Sequence, residues 1–244
     1  VTTIFMALFG VNFSVYFFIM IREYAAALLD EELRLYVGIM VISTALITFD
    51  ISPLYDTIGE SLRHAAFQVS TIMTTTGYAT TDFDLWPSFS KTILLCLMVV
   101  GASAGSTGGG LKVARLLLLI KGTRRNIRKM LNPRKVELVR NNGSVVDEQI
   151  LDNTNAYLAA YMVIMILSVL LISLDGFGFE TNMSAVMACF NNIGPGLGEV
   201  GPTGNFSHFS VLSKLILSLD MLAGRLELYP LLIALSPSTW KKNV

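Results

Sequence analysis

Apolar residues along this chain gather into long, nearly charge-free runs rather than alternating with a period of two. Residues 1–21, 33–49, 93–120, 156–174 and 209–235 form five such stretches. Each is roughly long enough for a helix to cross about 30 Å of hydrocarbon, so the pattern predicts five spans. Between the second and third runs, residues 57–73 make a shorter, half-polar helical stretch. It leads into Thr74-Thr75-Thr76-Gly77-Tyr78-Ala79 and then Asp82, Asp84, Trp86 and Pro87. Residues 175–210 are built the same way, with a short helical stretch over 180–191 followed by Asn192-Ile193-Gly194-Pro195-Gly196. The order span, short helix, glycine-centred turn, span therefore occurs twice, and the chain reads as a repeat. The opening stretch stands where the closing helix of an earlier repeat would be.

Composition agrees with lipid as the solvent: 53% of the 244 residues are hydrophobic and 15% are charged. A soluble domain carries about a quarter charged residues. The mean hydropathy is +0.60. A net charge of zero supplies no field for nucleic acid, and none is expected as a partner. Cys96 and Cys189 lie inside apolar runs and read as small buried hydrophobes. Val1 opens within an apolar run with no basic stretch before it. No signal peptide is expected from that stretch, and the chain reads as the later portion of a longer polypeptide.

Charge asymmetry sets a topology. Residues 111–140 hold ten Lys or Arg against the single acid Glu137, whereas residues 50–90 and 175–210 together hold eight acids and one base, Arg63. Basic loops stay in the cytoplasm, so residues 121–150 are expected inside and both glycine-centred segments outside. Asn132-Pro133 and residues 141–143 mark turns in the inner connector.

Backbone that is neither helix nor closed barrel is tolerated at membrane depth only where it is buried or lines a watery path. Thr75-Thr76-Gly77-Tyr78-Ala79 and Asn192-Ile193-Gly194-Pro195-Gly196 both line up with the Thr-Val-Gly-Tyr-Gly filter of potassium channels. In that filter successive carbonyl oxygens replace the ion's water shell. A central glycine suits this chemistry because aiming consecutive carbonyls at one axis needs some residues at positive φ. Neither segment contains Asp or Glu, which fits a conducting filter better than a tight cation site. The short helices can turn their partially negative C-terminal ends toward the ion.

Two irregularities remain. Gly101-Ala102-Ser103-Ala104-Gly105-Ser106-Thr107-Gly108-Gly109-Gly110 interrupts the third stretch. Ten small residues, each glycine costing up to about 1 kcal/mol, do not sustain a helix, so an unwound segment able to act as a gate is expected. Arg225 lies deep in the fifth stretch, where a charge costs at least about 2.5–3.5 kcal/mol. Asp220 and Glu227 lie elsewhere on that helix, so Arg225 is expected to face the pore or the carbonyls of the glycine-rich break.

Other patterns mislead. Residues 101–105 match G-x-S-x-G, but the two histidines, His64 and His208, are both expected near the outer face, so an enzyme is not expected. Residues 196–201 match G-x-G-x-x-G without a strand before or a helix after.

Four separated segments together resemble one family: Thr-Thr-Gly-Tyr-Ala-Thr-Thr-Asp-Phe (75–83), Gly-Ser-Thr-Gly-Gly-Gly-Leu-Lys (105–112), Asn-Asn-Ile-Gly-Pro-Gly-Leu-Gly (191–198) and Gly-Arg-Leu-Glu (224–227). They look like the Trk/Ktr/HKT potassium transporters, and most like the bacterial membrane subunits of the TrkH/KtrB kind. The resemblance implies an all-α integral membrane protein with tandem helix–pore loop–helix repeats, four of them around one potassium-channel-like pore. Residues 1–24 would close the second repeat, 32–122 would form the third, 123–150 a cytoplasmic connector, and 151–237 the fourth. By the same resemblance Thr75, Thr76, Gly77 and Tyr78 form the third filter segment, and Asn192, Ile193, Gly194 and Pro195 the fourth. K+, the transported ion, would sit at Thr75, Thr76, Asn192 and Ile193, with no organic cofactor in the chain. Residues 101–110, with Gly101, Gly105, Ser106, Thr107, Gly108, Gly109 and Gly110, match the gating loop, and Arg225 the arginine below the filter.

Family members are multi-pass proteins of the bacterial inner membrane. The implied partners are membrane lipid, a second copy in a homodimer, a cytoplasmic ring of nucleotide-binding TrkA/KtrA-like subunits docking on surfaces that include 121–150, and the N-terminal repeats of the same protein. Ala79, Asn192 and Pro195 depart from the fourfold filter, which implies weaker selectivity. A secondary transporter with discontinuous helices, using Asp220 and Glu227 at mid-depth, is the alternative reading. A docking half with no ion path of its own is a third.

Overall fold

The computed structural model describes residues 1–134, 137–226 and 233. Helix α4 (Glu31–Ile51), helix α5 (Ile58–Met73) and helix α6 (Ser88–Val100) form one unit, and α8 (Glu148–Ile172), α9 (Phe179–Phe190) and α10 (Val211–Arg225) form a second. In each, the middle helix packs against the other two: α5 against α4 and α6, and α9 against α8 and α10. The units meet where α6 touches α9. Helix α7 (Val113–Leu131) leaves the first unit and packs on α4 and α8.

Local chemistry explains the starts. Thr57 caps α5 by accepting from the N–H of Glu60 at 3.2 Å, and Ser210 Oγ caps α10 by accepting from the N–H of Ser213 at 3.2 Å. Asp30 Oδ1 does the same for α4, accepting from Leu33 at 2.7 Å. The connector folds into a small hairpin, β1 (Arg140–Asn141) paired antiparallel to β2 (Ser144–Val145). Its Asn142-Gly143 turn, with φ of 48° and 81°, is the twist-matched kind that hairpins favour. The common core runs between the units through Tyr36, Ile47, Ile51, Ile72, Met98, Tyr161, Ile172 and Phe190, each almost wholly buried. Outward-facing Phe49, Leu170 and Leu215 are exposed, as lipid-facing side chains would be.

The five expected spans are not five continuous helices. Among the described residues, two helical stretches are long and apolar enough to cross a membrane, Glu31–Leu54 and Glu148–Asp175, and a bent pair can count as a third. That pair is the first stretch, expected as one span: α1 (Thr2–Phe9) and α2 (Phe13–Met20) meet at 95°, and the short helix α3 (Tyr24–Leu29) then leads to α4. Gly10 explains the break. A Cβ there would overlap the Tyr36 hydroxyl and come within 2.7 Å of Thr74 Cγ2, so the chain turns where it presses on α4 and α5. The third stretch splits into α6 and α7, and of the fifth the part to Leu226 and residue 233 are described, which leaves Glu227 and most of the last residues of the expected fourth repeat outside the described residues. The expected connector 123–150 begins inside α7 and ends inside α8. Cys96 is exposed, against expectation, and only Cys189 is buried.

Candidate ion pathway

The two glycine-centred segments share a backbone, not only a composition. Thr74, Thr75 and Gly77 correspond to Asn191, Asn192 and Gly194, an offset of 117 residues. Helix α5 ends at Met73 and α9 at Phe190, at equivalent positions. Immediately after, φ is positive at Thr75 (54°) and Gly77 (82°), and at Asn192 (57°) and Gly194 (108°). The same hydrogen bonds close both turns: Thr76 N–H to Thr71 O at 2.8 Å, and Ile193 N–H to Ala188 O at 2.8 Å. Positive φ at a non-glycine is uncommon, so an identical pattern at Thr75 and Asn192 marks a geometry imposed by the fold.

The segments also touch. A Cβ on Gly77 would overlap the Ile193 carbonyl oxygen, so this glycine lets one loop lie directly against the next. Thr76 Oγ1 and Thr74 Oγ1 lie 2.8 Å apart, and Ile193 is buried. Tyr78 points outward and is 64% exposed. Tyr161 donates from its hydroxyl to Asn191 Oδ1 at 3.0 Å and steadies the end of α9. Asn192 Nδ2 donates to Met221 O at 3.0 Å, tying the second turn to α10. Behind the first turn, Gln68 and Thr71 are fully buried with side-chain polar atoms that find no partner among the described residues.

Residues 101–110 are not helical. Gly101, Gly105 and Gly110 have φ of 69°, 64° and 82°, and Lys112 has 77°. The loop passes against the C-terminal ends of both short helices. The Gly109 N–H donates to Thr75 Oγ1 at 2.8 Å. A Cβ on Gly108 would lie 3.3 Å from Thr74 O, and one on Gly109 2.5 Å from Asn191 O. Ser106 Oγ donates to Ser103 O at 2.6 Å, and Lys112 Nζ donates to Gly108 O. Arg225 Nη1 donates to Thr107 O at 3.3 Å. Together Ser106, Thr107, Gly109, Arg115, Tyr157 and Arg225 line a cavity of ≈ 230 Å³.

Some participants were not anticipated. Glu32 and Asn12 hold the loop from the opposite side, with the Ala104 N–H 2.5 Å from Glu32 Oε1. In the sequence Glu32 reads only as an acid in the first turn of a helix. Asp220 is buried, and its Oδ1 accepts from Ser168 Oγ at 2.8 Å. Elsewhere, Lys91 Nζ bridges Glu180 Oε1 (2.9 Å) and Asp84 Oδ1 (3.7 Å), and Asp84 accepts from the Gly198 N–H at 3.0 Å. These contacts join the first unit to the loop of the second; neighbouring acids along the sequence gave no sign of the pairing. Among the described residues there is no group of three or more His, Cys, Asp or Glu able to hold a metal. The polar groups at the two turns are backbone groups, the hydroxyls of Thr74, Thr75 and Thr76, and the side-chain amides of Asn191 and Asn192.

The family described as "TrkH: Cation transport protein" matches residues 1–242. The chain belongs to this family. It is a family of transporters, not of enzymes, and its fold is an all-α membrane fold. The chain is 34% identical to the Trk system potassium uptake protein TrkH of Salmonella typhimurium over 99% of its own length and 50% of that protein's. It is 30% identical to the Trk system potassium uptake protein TrkG of Escherichia coli over 97% of its length and 49% of that protein's. The crystal structure of the potassium transporter TrkH from Vibrio parahaemolyticus superposes with a TM-score of 0.86 at 32% identity, covering 98% of this chain and 52% of that one. The chain thus spans about half the length of the curated relatives it matches.

Proposed function

We propose that this chain forms half of a protein that takes up potassium across a bacterial inner membrane through a channel-like pore. Thr75, Thr76, Gly77 and Tyr78 form one quarter of a carbonyl-lined filter, and Asn192, Ile193, Gly194 and Pro195 form another. The observation that carries this reading is the shared backbone of the two turns, with positive φ at matching positions and Gly77 seated on the Ile193 carbonyl. Two such turns side by side occupy two positions around an axis, and repeats outside this chain supply the other two. Each filter position then offers oxygens of neutral groups, which can replace water around K+ and still release it.

Residues 101–110 act as the gate. They cross the ends of both short helices, where a passing ion would have to go, and Arg225 holds them through Thr107. A guanidinium there repels cations until the loop and the arginine move apart. The basic segment 121–150 lies on the cytoplasmic side, and with the neighbouring surface it offers a docking site for a nucleotide-binding regulatory ring. The full protein works as a homodimer.

The test uses the full-length parent protein in bacteria that lack their own potassium uptake. Rubidium uptake and its inhibition by Na+ are compared for wild type, Gly194→Ser and Arg225→Ala. Gly194→Ser is expected to lower preference for K+ over Na+, and Arg225→Ala to raise flux. Unchanged uptake in both variants, with protein present in the membrane, overturns the reading.

A further inference from the structure

A single buried carboxylate lies where three irregular pieces of backbone meet. Glu32, 7% exposed, is in the first turn of α4. Its Oε1 accepts from the N–H of Ala104, in the middle of the glycine-rich loop and 72 residues away. Its Oε2 accepts from Asn12 Nδ2 at 3.2 Å, at the sharp bend between α1 and α2. The N–H of Ala114, at the point where the loop re-enters helix, also faces it. Asn12 is occupied on both ends, since its Oδ1 caps α2 by accepting from Ser14 at 2.9 Å. The same bend grips the loop through backbone: Ser103 N–H donates to Gly10 O at 3.0 Å and Phe13 N–H to Gly105 O at 3.3 Å.

The neighbouring residues of α4 are held from the connector. Asn142, at the tip of the β1–β2 hairpin, donates from Nδ2 to Asp30 Oδ2 at 2.7 Å and accepts from the Glu31 N–H at 3.0 Å. Lys121 pairs with Glu31 and donates to Arg140 O at 2.8 Å. The hairpin is thus bonded to Asp30 and Glu31, and the loop to Glu32, the next residue along the backbone of α4.

We infer that Glu32 is a positioning residue that clamps the loop 101–110 in place, and that the Asn142 hairpin is the latch that seats Glu32. The inference rests on the reading of that loop as the gate. An ionised carboxylate suits this task because it accepts from several N–H donors at once, and charge-assisted bonds are short and strong. Its reach also explains the choice of glutamate: one side chain spans the bend, the loop's middle and the loop's exit. Movement of the hairpin by anything bound on its side shifts Asp30 and Glu31, and Glu32 with them.

The experiment uses the full-length protein in a cysteine-free background carrying Ser106→Cys as a reporter within the loop. The rate of modification of that cysteine by a membrane-permeant thiol reagent is measured beside rubidium uptake. Glu32→Gln keeps the shape but places an amide N–H against either Asn12 Nδ2 or the Ala104 N–H. Asn12→Asp keeps the cap on α2 and sets a second carboxylate against Glu32, so it carries the test if Glu32→Gln fails to reach the membrane. Each variant is expected to speed modification about tenfold, the shift that one lost charge-assisted hydrogen bond permits. Maximal uptake should rise while the rubidium KM and Na+ inhibition stay at parent values, since no filter residue is touched. Asn142→Ala should act in the same direction and less strongly. Faster modification with unchanged uptake leaves the clamp standing and overturns the gate reading beneath it. Parent-like modification in both Glu32→Gln and Asn12→Asp overturns the clamp, and parent-like modification in Asn142→Ala overturns the latch.

Discussion

Replacing Gly77 with alanine separates the filter geometry from ordinary glycine flexibility. Two costs arise at this position. The residue sits at φ 82°, and an L-side chain in that left-handed region costs about 1–2 kcal/mol. The added methyl would also overlap the Ile193 carbonyl oxygen. That oxygen belongs to backbone that cannot retreat freely, because the Ile193 N–H is bonded to Ala188 O at 2.8 Å and the last turns of α9 are buried. Overpacking against such a neighbour costs typically about 1–3 kcal/mol. The total is about 2–5 kcal/mol, concentrated at the contact between the two turns. Gly59 is the control: it lies in the first turn of α5, and a Cβ there would meet nothing within 4 Å. Gly59→Ala should change stability by no more than about 1 kcal/mol, in the stabilising direction that helix propensity gives. The assay is a thermal melt of the purified full-length protein in detergent, paired with rubidium uptake in the presence of Na+. Gly77→Ala should lower the midpoint and weaken K+ preference, while Gly59→Ala does neither. A Gly77→Ala protein with the wild-type midpoint and wild-type Na+ inhibition would refute the argument that the turns are packed carbonyl against glycine.

Three further outcomes follow from the same geometry. A Cβ on Gly224 would overlap Phe190 O and lie 2.9 Å from Asn192 Nδ2. Gly224→Ala should therefore push α10 from α9, stretch the already long Arg225–Thr107 bond, and raise flux in the uptake assay. Tyr161→Phe leaves Asn191 Oδ1 without its buried donor, so the melt should reveal a loss of about 1–3 kcal/mol with the fold intact. Lys91→Met removes the cation between Asp84 and Glu180, and a double-mutant cycle of Lys91 with Glu180 should give a coupling of about 0.2–1 kcal/mol, smaller at high salt.

Much of the architecture was legible because it is local. The short helices expected at 57–73 and 180–191 appear as Ile58–Met73 and Phe179–Phe190. The glycine-centred turns signal both ends. The break at 101–110 was readable for the same reason: a run of small residues lacks the side chains and the propensity to hold a helix, whatever surrounds it. Hydropathy over a window likewise marked lipid-facing length without any knowledge of packing.

Tertiary structure alone decided what meets what. Gly10 and the cap at Asn12 mark a helix break in the sequence, but not its 95° angle or the packing of Gly10 against Tyr36 and Thr74, which α4 and α5 bring to it. Glu32 looks like any acid at a helix start until Ala104 arrives from 72 residues away, and Arg225 finds Thr107 across 118. Cys96, expected inside, is exposed because hydropathy does not say which face of α6 the other helices cover. Backbone preference and transfer free energy depend on a residue and its near neighbours, so they can be read along the chain. The pairing of a buried carboxylate with a distant N–H, or of a glycine with a distant carbonyl, depends on three-dimensional packing, which the order of residues does not display.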